Sequence, residues 1–115
     1  MAHPVVHFEV TGNDFEGLQS FYTELFDWKA QEIPGDIPYA MVEKEGTGIG
    51  GGIGRAQNGN GHLTFYVETD DLQGTLDRAE QLGGTTVMPV TELPQVTIAL
   101  VSDPAGNMVG LVKGM

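Results

Sequence analysis

The chain repeats one order of predicted secondary-structure elements, and this internal repeat constrains the possible folds more than any single motif. An alternating strand pattern over Pro4 to Val10 is followed by an apolar helical pattern and three further strand patterns. The order starts again at His62, which lies 55 residues after His7, while 56 residues separate Asp14 from Asp70. We therefore predict two consecutive modules, each with a strand, a helix and three strands.

The modules have clear boundaries in the sequence. We predict the first module over residues 5–55, the second over residues 62–113, and a linker over residues 56–61. The linker is rich in asparagine and glycine, which is typical of an irregular connection. These three segments are expected to form a single domain.

Each module contains one predicted amphipathic helix. In DFEGLQSFYTELFDW the apolar residues recur at spacings of three and four, which favours a helix with its aromatic side chains packed against a sheet. Asn13 or Asp14 is expected to cap this helix. Thr69 or Asp70 is expected to cap the second one.

The composition excludes several classes of function. A chain of 115 residues can bury its own core, and the absence of cysteine excludes disulfides and thiolate chemistry. A formal charge of -11 would repel nucleic acid and anionic membranes. No apolar run reaches the roughly 20 residues that span a bilayer, and the N-terminus has no signal-peptide pattern. We therefore expect a cytoplasmic protein that binds neither nucleic acid nor membranes.

A glycine-rich stretch, TGIGGGIG, resembles a phosphate-binding loop at first sight. It lacks the GKS or GKT ending of such loops, and a glycine-asparagine segment follows it where a helix would be required. We interpret it as the last strand of the first module. Glycine inside a strand often marks a close approach of a ligand or another part of the chain.

Three segments carry a resemblance to a known superfamily: VVHFEVTGNDFEGLQSFYTELFDW, GHLTFYVETDDL and SDPAGNMVGLV. Together with the doubled pattern they resemble the vicinal oxygen chelate superfamily, which includes glyoxalase I, extradiol dioxygenases and bleomycin-resistance proteins. The resemblance implies an α+β fold in which two tandem βαβββ modules form an open, barrel-like sheet around a cavity. It also implies a small-molecule ligand in that cavity and a homodimer.

The resemblance further implies where a divalent metal would bind. It places His7 and His62 on the first strand of each module, where metal-dependent members have ligands. The carboxylate positions fall on Gly110 and within residues 50–52, so both carboxylates are missing. Since a catalytic metal usually has at least three protein ligands, we predict an incomplete site. Glu9 and Glu68 are the acids to examine, because each lies an even number of residues from the histidine of its module and could face the same way.

Other residues are candidates for lining the ligand pocket. Trp28 and Tyr39 stand near predicted strand starts, where an aromatic ring can stack on a ligand, although core packing is an equal alternative. Arg55 could meet an anionic group, or form a surface ion pair instead. The predicted pocket residues are Trp28, Tyr39, Gly51, Gly52, Arg55 and Gly110.

Three hypotheses of function remain open. The first is a glyoxalase-like protein that binds or transforms a small molecule without a complete metal site, with His7 or His62 as a general base in any catalysis. The second is a metal-dependent lyase, isomerase or dioxygenase that uses both histidines as ligands. The third is sequestration of a cationic, drug-like compound, which the acidic charge favours.

Overall fold

The computed structural model describes residues 2–56 and 59–114. The elements are β1 (Val5–Gly12), α1 (Phe15–Phe26), β2 (Ala30–Glu32), β3 (Tyr39–Val42), β4 (Gly51–Arg55), β5 (His62–Glu68), α2 (Leu72–Gln81), β6 (Thr85–Glu92), β7 (Thr97–Ser102) and β8 (Met108–Lys113). The predicted α+β class and the doubled βαβββ order are therefore confirmed. Residues 57 and 58 of the predicted linker lie outside the described residues.

The chain divides into two compact units, one formed by His7–Leu63 and the other by Met1–Val6 with Thr64–Met115. In the first unit the strand order is β2-β3-β4-β1, with β1 parallel to β4 and the remaining pairs antiparallel. In the second unit the order is β5-β8-β7-β6, with β5 parallel to β8 and the remaining pairs antiparallel. Each unit thus places its first and last strands side by side.

The core of the first unit lies between its sheet and α1. Val10, Ile53 and Ala40 stand opposite one another on β1, β4 and β3, so their side chains share the face that α1 covers. Phe15 at the start of α1 is buried against them. Burial of one such valine, isoleucine or phenylalanine side chain contributes about 1.5–3 kcal/mol. This packing fixes which residues of each strand point toward the helix.

The aromatic residues of α1 do not all pack as the spacing suggests. Tyr22 packs on the core and stacks on Trp28, with ring centroids 5.4 Å apart. Phe21 and Phe26, however, are 58% and 53% exposed. They border the core by edge and tilted contacts with Tyr22 and Trp28. The expectation that all these rings pack against the sheet is therefore wrong for Phe21 and Phe26.

The second unit has a separate core beneath α2. Leu72 and Leu76 pack against Ala99, Val101 and Leu111 of the sheet. Ala99 and Leu111 are register partners, so they point to the same face. The opposite face of this sheet therefore carries the alternate residues of each strand.

An aspartate caps each helix. Asp14 accepts a hydrogen bond from the Gly17 N–H at 3.0 Å, which confirms one of the two expected caps. Asp71 does the same for the Gly74 N–H at 2.9 Å, so the expectation of Thr69 or Asp70 is wrong by one residue. Among the described residues, no helix is both long and apolar enough to cross a membrane.

Candidate functional site

Three polar side chains of the first unit are joined by hydrogen bonds on the face of its sheet that α1 does not cover. His7 and Glu9 alternate with Val10 on β1, and Tyr39 begins β3. The Tyr39 hydroxyl lies 3.0 Å from His7 Nε2 and 3.0 Å from Glu9 Oε2. The predicted common orientation of His7 and Glu9 is thus observed, and Tyr39 bridges them.

The two hydrogen bonds at Tyr39 can be assigned a donor and an acceptor, starting from the Glu9 carboxylate. An ionised carboxylate can only accept, so the Tyr39 hydroxyl donates its single proton to Glu9. His7 must then donate from Nε2 to the same hydroxyl oxygen, which assigns the Nε2–H tautomer to the neutral ring. Tyr39 is therefore oriented from both sides, as donor to one residue and acceptor from the other.

The His7 side chain is more deeply buried than the side chains of its hydrogen-bonded neighbours, Glu9 and Tyr39. Its side chain is 6% exposed, whereas Glu9 and Tyr39 are half-buried. Burial lowers the pKa of His7 below its ordinary value of 6.5, because the charged ring loses hydration. The lowered pKa favours the neutral imidazole, which can donate from Nε2 to the Tyr39 hydroxyl.

The glycines of β4 make room for Tyr39. Gly54 is the register partner of Tyr39, and a Cβ at this position would lie 2.9 Å from ring atom Cδ1. A Cβ at Gly52 would overlap the hydroxyl and Cζ of the same ring. The tyrosine side chain therefore crosses β4 over two glycines and reaches β1. Any larger residue at position 52 would displace it.

Gly51 serves the opposite face of the same strand. It stands opposite Phe8 in the β1–β4 register, and a Cβ here would overlap the Phe8 ring. Phe8 in turn packs on Trp28 with ring centroids 5.2 Å apart. Consecutive glycines thus admit one aromatic side chain on each face of the strand.

His62 lies apart from this cluster. It is exposed at the start of β5, and its backbone N–H donates to Thr11 Oγ1 at 3.2 Å. Thr11 follows His7 by four residues on β1, a distance of about 13 Å along an extended strand. The structure therefore does not bring the two predicted histidines together within the first unit.

The two units repeat with a different offset from the one that the sequence suggests. The helix caps Asp14 and Asp71 are 57 residues apart, rather than 55 or 56. At this offset His7 corresponds to Thr64, and not to His62. Thr64 is also buried, and its Oγ1 has no hydrogen-bond partner among the described residues. The spacing of 55 residues between His7 and His62 therefore differs by two residues from the spacing of the helix caps.

Gly110 repeats the arrangement of Gly52. Its register partner on β5 is Tyr66, and a Cβ at Gly110 would overlap the Tyr66 ring. The resemblance implies a metal-binding carboxylate at Gly110 and within residues 50–52, a range that includes Gly52. In each unit a tyrosine ring fills the space that such a carboxylate would need.

A divalent metal held in the way that the resemblance implies does not fit these residues. No carboxylate can stand at position 52 while Tyr39 keeps its observed place. Within residues 2–56 and 59–114, no group of three or more histidine, cysteine, aspartate and glutamate residues could hold a metal ion. We therefore derive no chemical step through a metal.

The remaining predicted pocket residues lie elsewhere. Trp28 belongs to the aromatic packing beside α1, on the opposite face from His7. Arg55 ends β4 with an exposed side chain, and its backbone N–H donates to the Pro38 carbonyl at 3.3 Å. Of the predicted pocket residues, Tyr39 and Gly52 are the ones that join the hydrogen-bonded cluster.

A groove of about 700 Å³ opens in the second unit, where α2 begins beside the turn between β6 and β7. Its lining includes Asp71, Glu92, Leu93 and Lys113, all of them exposed. None of the predicted site residues lines it. We place the candidate site at the first unit instead, because a buried histidine and two half-buried polar side chains are hydrogen-bonded there, whereas the groove is a shallow surface feature.

Sequence reasoning did not foresee that Tyr39 joins His7 to Glu9. A signal was present in the glycines at positions 52 and 54, which point to one face of a strand. Two glycines in such positions leave space for one large side chain from a neighbouring strand. Strand pairing was needed to identify that side chain as Tyr39.

The fold and these sites define a protein of the vicinal oxygen chelate superfamily. A family model described as a glyoxalase-like domain matches residues 7–112. The chain therefore belongs to the glyoxalase-like domain family.

The chain is also similar in sequence to a curated protein. The chain is 29% identical over 117 aligned positions to the anthracycline biosynthesis protein DnrV of Streptomyces peucetius. The match covers 86% of this chain and 42% of the relative, so the chain spans about two fifths of the length of that curated protein.

Solved structures share the fold at low identity. Methylmalonyl-CoA epimerase from Mycobacterium tuberculosis matches with a TM-score of 0.73 and 14% identity, over 96% of this chain and 87% of that one. The Streptomyces coelicolor methylmalonyl-CoA epimerase, in complex with 2-nitronate-propionyl-CoA, matches with a TM-score of 0.74 and 14% identity. This match covers 99% of this chain and 96% of the epimerase. A glyoxalase/bleomycin resistance protein/dioxygenase superfamily member from Vibrio splendidus matches with a TM-score of 0.69 and 14% identity. This match covers 97% of this chain and 99% of the other.

Proposed function

We propose that this domain binds a flat, polycyclic aromatic small molecule on the face of the first unit that carries His7, Glu9 and Tyr39. The observation that carries the proposal is the Tyr39 hydroxyl held between His7 and Glu9 above a floor of two glycines. One face of the ring rests on the β4 backbone, so its other face is directed away from the sheet. Such a ring can stack on a planar ligand while its hydroxyl oxygen accepts a hydrogen bond from a ligand hydroxyl or amino group.

The chemical class of the ligand is supported by the relative and by the charge. The relative of Streptomyces peucetius is named for anthracycline biosynthesis, and anthracyclines are polycyclic hydroxyquinones that carry an amino sugar. The chain has a formal charge of -11, which attracts a cationic amino group through the field of the whole molecule. Both features favour an aromatic ligand with oxygen substituents and a positive charge.

Binding of daunorubicin, an anthracycline with intrinsic fluorescence, tests this proposal. We expect saturable binding with one site per chain, which weakens as sodium chloride rises from 0.05 to 0.5 M because salt screens the attraction. Tyr39→Phe keeps the ring and removes the hydroxyl, so affinity should fall about 2- to 12-fold, the equivalent of one hydrogen bond. Ligand recovered unchanged would indicate sequestration, and altered ligand would indicate turnover.

Tyr22→Phe is the matched control for this experiment. Tyr22 stacks on Trp28 on the side of α1, so loss of its hydroxyl should leave the affinity unchanged. Absence of saturable binding would refute the proposal. Equal weakening by Tyr22→Phe and Tyr39→Phe would refute the location of the site.

Two further predictions stay open to experiment. A metal-dependent lyase, isomerase or dioxygenase that uses His7 and His62 requires stoichiometric metal, which elemental analysis of the purified protein measures. A homodimer is supported by the exposed apolar side chains of α1, Phe21, Leu25 and Phe26. Light scattering during size-exclusion chromatography gives the mass that decides between monomer and dimer.

A further inference from the structure

The hydrogen bonds at Tyr39 define one direction in which a proton can move. The hydroxyl already donates to Glu9 Oε2 at 3.0 Å, and His7 Nε2–H donates to the hydroxyl oxygen from the other side. If that oxygen takes a proton from a ligand, its own proton can pass to Glu9 along the existing bond. The imidazole N–H would meanwhile stabilise negative charge that develops on the oxygen.

We propose that Tyr39 is a metal-independent catalytic base that removes a proton from a carbon next to a carbonyl group of the bound aromatic ligand. The C–H proton moves to the Tyr39 oxygen as the Tyr39 proton moves to Glu9. The electron pair of the C–H bond forms a carbon–carbon double bond, and the carbonyl π electrons move to the carbonyl oxygen to give an enolate. Return of the proton from Glu9 through Tyr39 restores the ketone, so no oxidant or reductant is consumed.

The final proton acceptor limits the class of substrate. A glutamate carboxylate has an ordinary pKa of about 4.3 and is a weak base. It can drive enolisation at a useful rate only for a relatively acidic carbon. We therefore expect a ketone whose reacting carbon also adjoins an aromatic ring, since both groups delocalise the negative charge of the enolate. This class agrees with the polycyclic ligand of the proposed function, on which the inference rests.

The three residues have different roles in this reaction. Tyr39 is the catalytic residue, because its oxygen touches the proton that leaves the ligand. Glu9 and His7 act through Tyr39 as positioning residues, one as the receiver of its proton and one as a hydrogen-bond donor. In this chain the Tyr39 side chain occupies the space beside Gly52 that a metal-binding carboxylate would require.

The experiment is hydrogen–deuterium exchange of 2-tetralone, a fused-ring ketone with a benzylic carbon next to its carbonyl. Loss of the benzylic proton signal in D₂O is followed by ¹H NMR, with protein that has been treated with EDTA. We expect exchange above the buffer rate. Tyr39→Phe should lower the catalysed rate about 100-fold or more, the usual contribution of a general base. Tyr22→Phe should leave the rate unchanged.

Glu9→Gln separates the relay from a merely structural role. The amide has nearly the shape of the carboxylate but cannot accept the proton, so kcat should fall as in Tyr39→Phe while KM changes little. Glu9→Asp keeps the carboxylate and should recover part of the rate. Circular dichroism of each variant confirms that it is folded.

Each outcome decides a separate point. Exchange no faster than buffer, or unchanged by Tyr39→Phe, overturns this inference even when daunorubicin binds, and leaves the proposed function standing. Exchange that EDTA abolishes and a divalent metal restores overturns metal independence. Exchange that depends on Tyr39 without daunorubicin binding supports the relay and refutes the proposed ligand class.

Discussion

Substitution of Gly52 by alanine should destabilise the protein through one identifiable side chain. The new methyl group would overlap the hydroxyl and Cζ of Tyr39, so the ring must leave its place over β4. The ring would then lose its hydrogen bonds to His7 and Glu9, each 3.0 Å long in the native protein. Both the overlap and the broken bonds therefore depend on Tyr39.

The expected loss of folding stability can be estimated from the steric overlap and from the two broken hydrogen bonds. Overpacking costs about 1–3 kcal/mol, and each lost hydrogen bond about 0.5–1.5 kcal/mol. Water can replace part of the bonding, because Tyr39 and Glu9 are only half-buried. We therefore expect Gly52→Ala to lower the free energy of unfolding by about 3 kcal/mol, as measured by urea denaturation.

A double-mutant cycle tests whether Tyr39 is the cause. In a Tyr39→Ala background the overlap disappears, so Gly52→Ala should cost less than about 1 kcal/mol, a coupling of about 2 kcal/mol. Gly51→Ala is the matched control, since its methyl group would overlap Phe8 on the other face. Its coupling to Tyr39→Ala should be below about 0.5 kcal/mol. Additive effects of Gly52→Ala and Tyr39→Ala would refute this account of the glycines.

Three further substitutions probe the buried polar residues Thr64, Thr69 and His7. Thr64→Val should leave stability unchanged or raise it by about 1 kcal/mol in urea denaturation, since it removes a buried hydroxyl that has no partner among the described residues. Thr69→Val should instead lower stability, because that hydroxyl bonds to Thr75 Oγ1 at 3.1 Å, and the reverse order would contradict the assignment. His7 has a folded-state pKa below 6.5, so the unfolded chain binds its proton first as pH falls. Stability should therefore decline below pH 6.5, by at most about 1.4 kcal/mol per pH unit, and the difference from His7→Gln isolates this contribution.

The element order could be predicted because each element carries its own local signal. The helix of α1 is encoded by apolar spacing and by Asp14, whose side chain bonds the Gly17 N–H within one turn. The second cap was misplaced because Thr69, Asp70 and Asp71 are all residues that favour this position. The sequence alone does not distinguish among three adjacent capping candidates. In the structure the N-cap residue of α2 is Asp71.

The candidate site was only partly accessible from the sequence, since it depends on strand pairing. The common face of His7 and Glu9 follows from strand alternation alone. Tyr39 lies 30 residues from Glu9, and its approach depends on the register of β3 with β4 and of β4 with β1. A shift of one residue in either register would turn Gly52 to the other face and remove the space for the ring.

The glycine at position 52 therefore links the architecture of the sheet to the chemistry of the site. In a strand of this fold the same position can hold either a carboxylate or the space for a neighbouring ring, but not both, because the two would occupy the same volume. In this chain Gly52 leaves that volume to Tyr39, whose phenol hydroxyl bonds to His7 and Glu9. Glycine at this position thus leaves the space that lets Tyr39 cross β4 and hold its hydroxyl between His7 and Glu9.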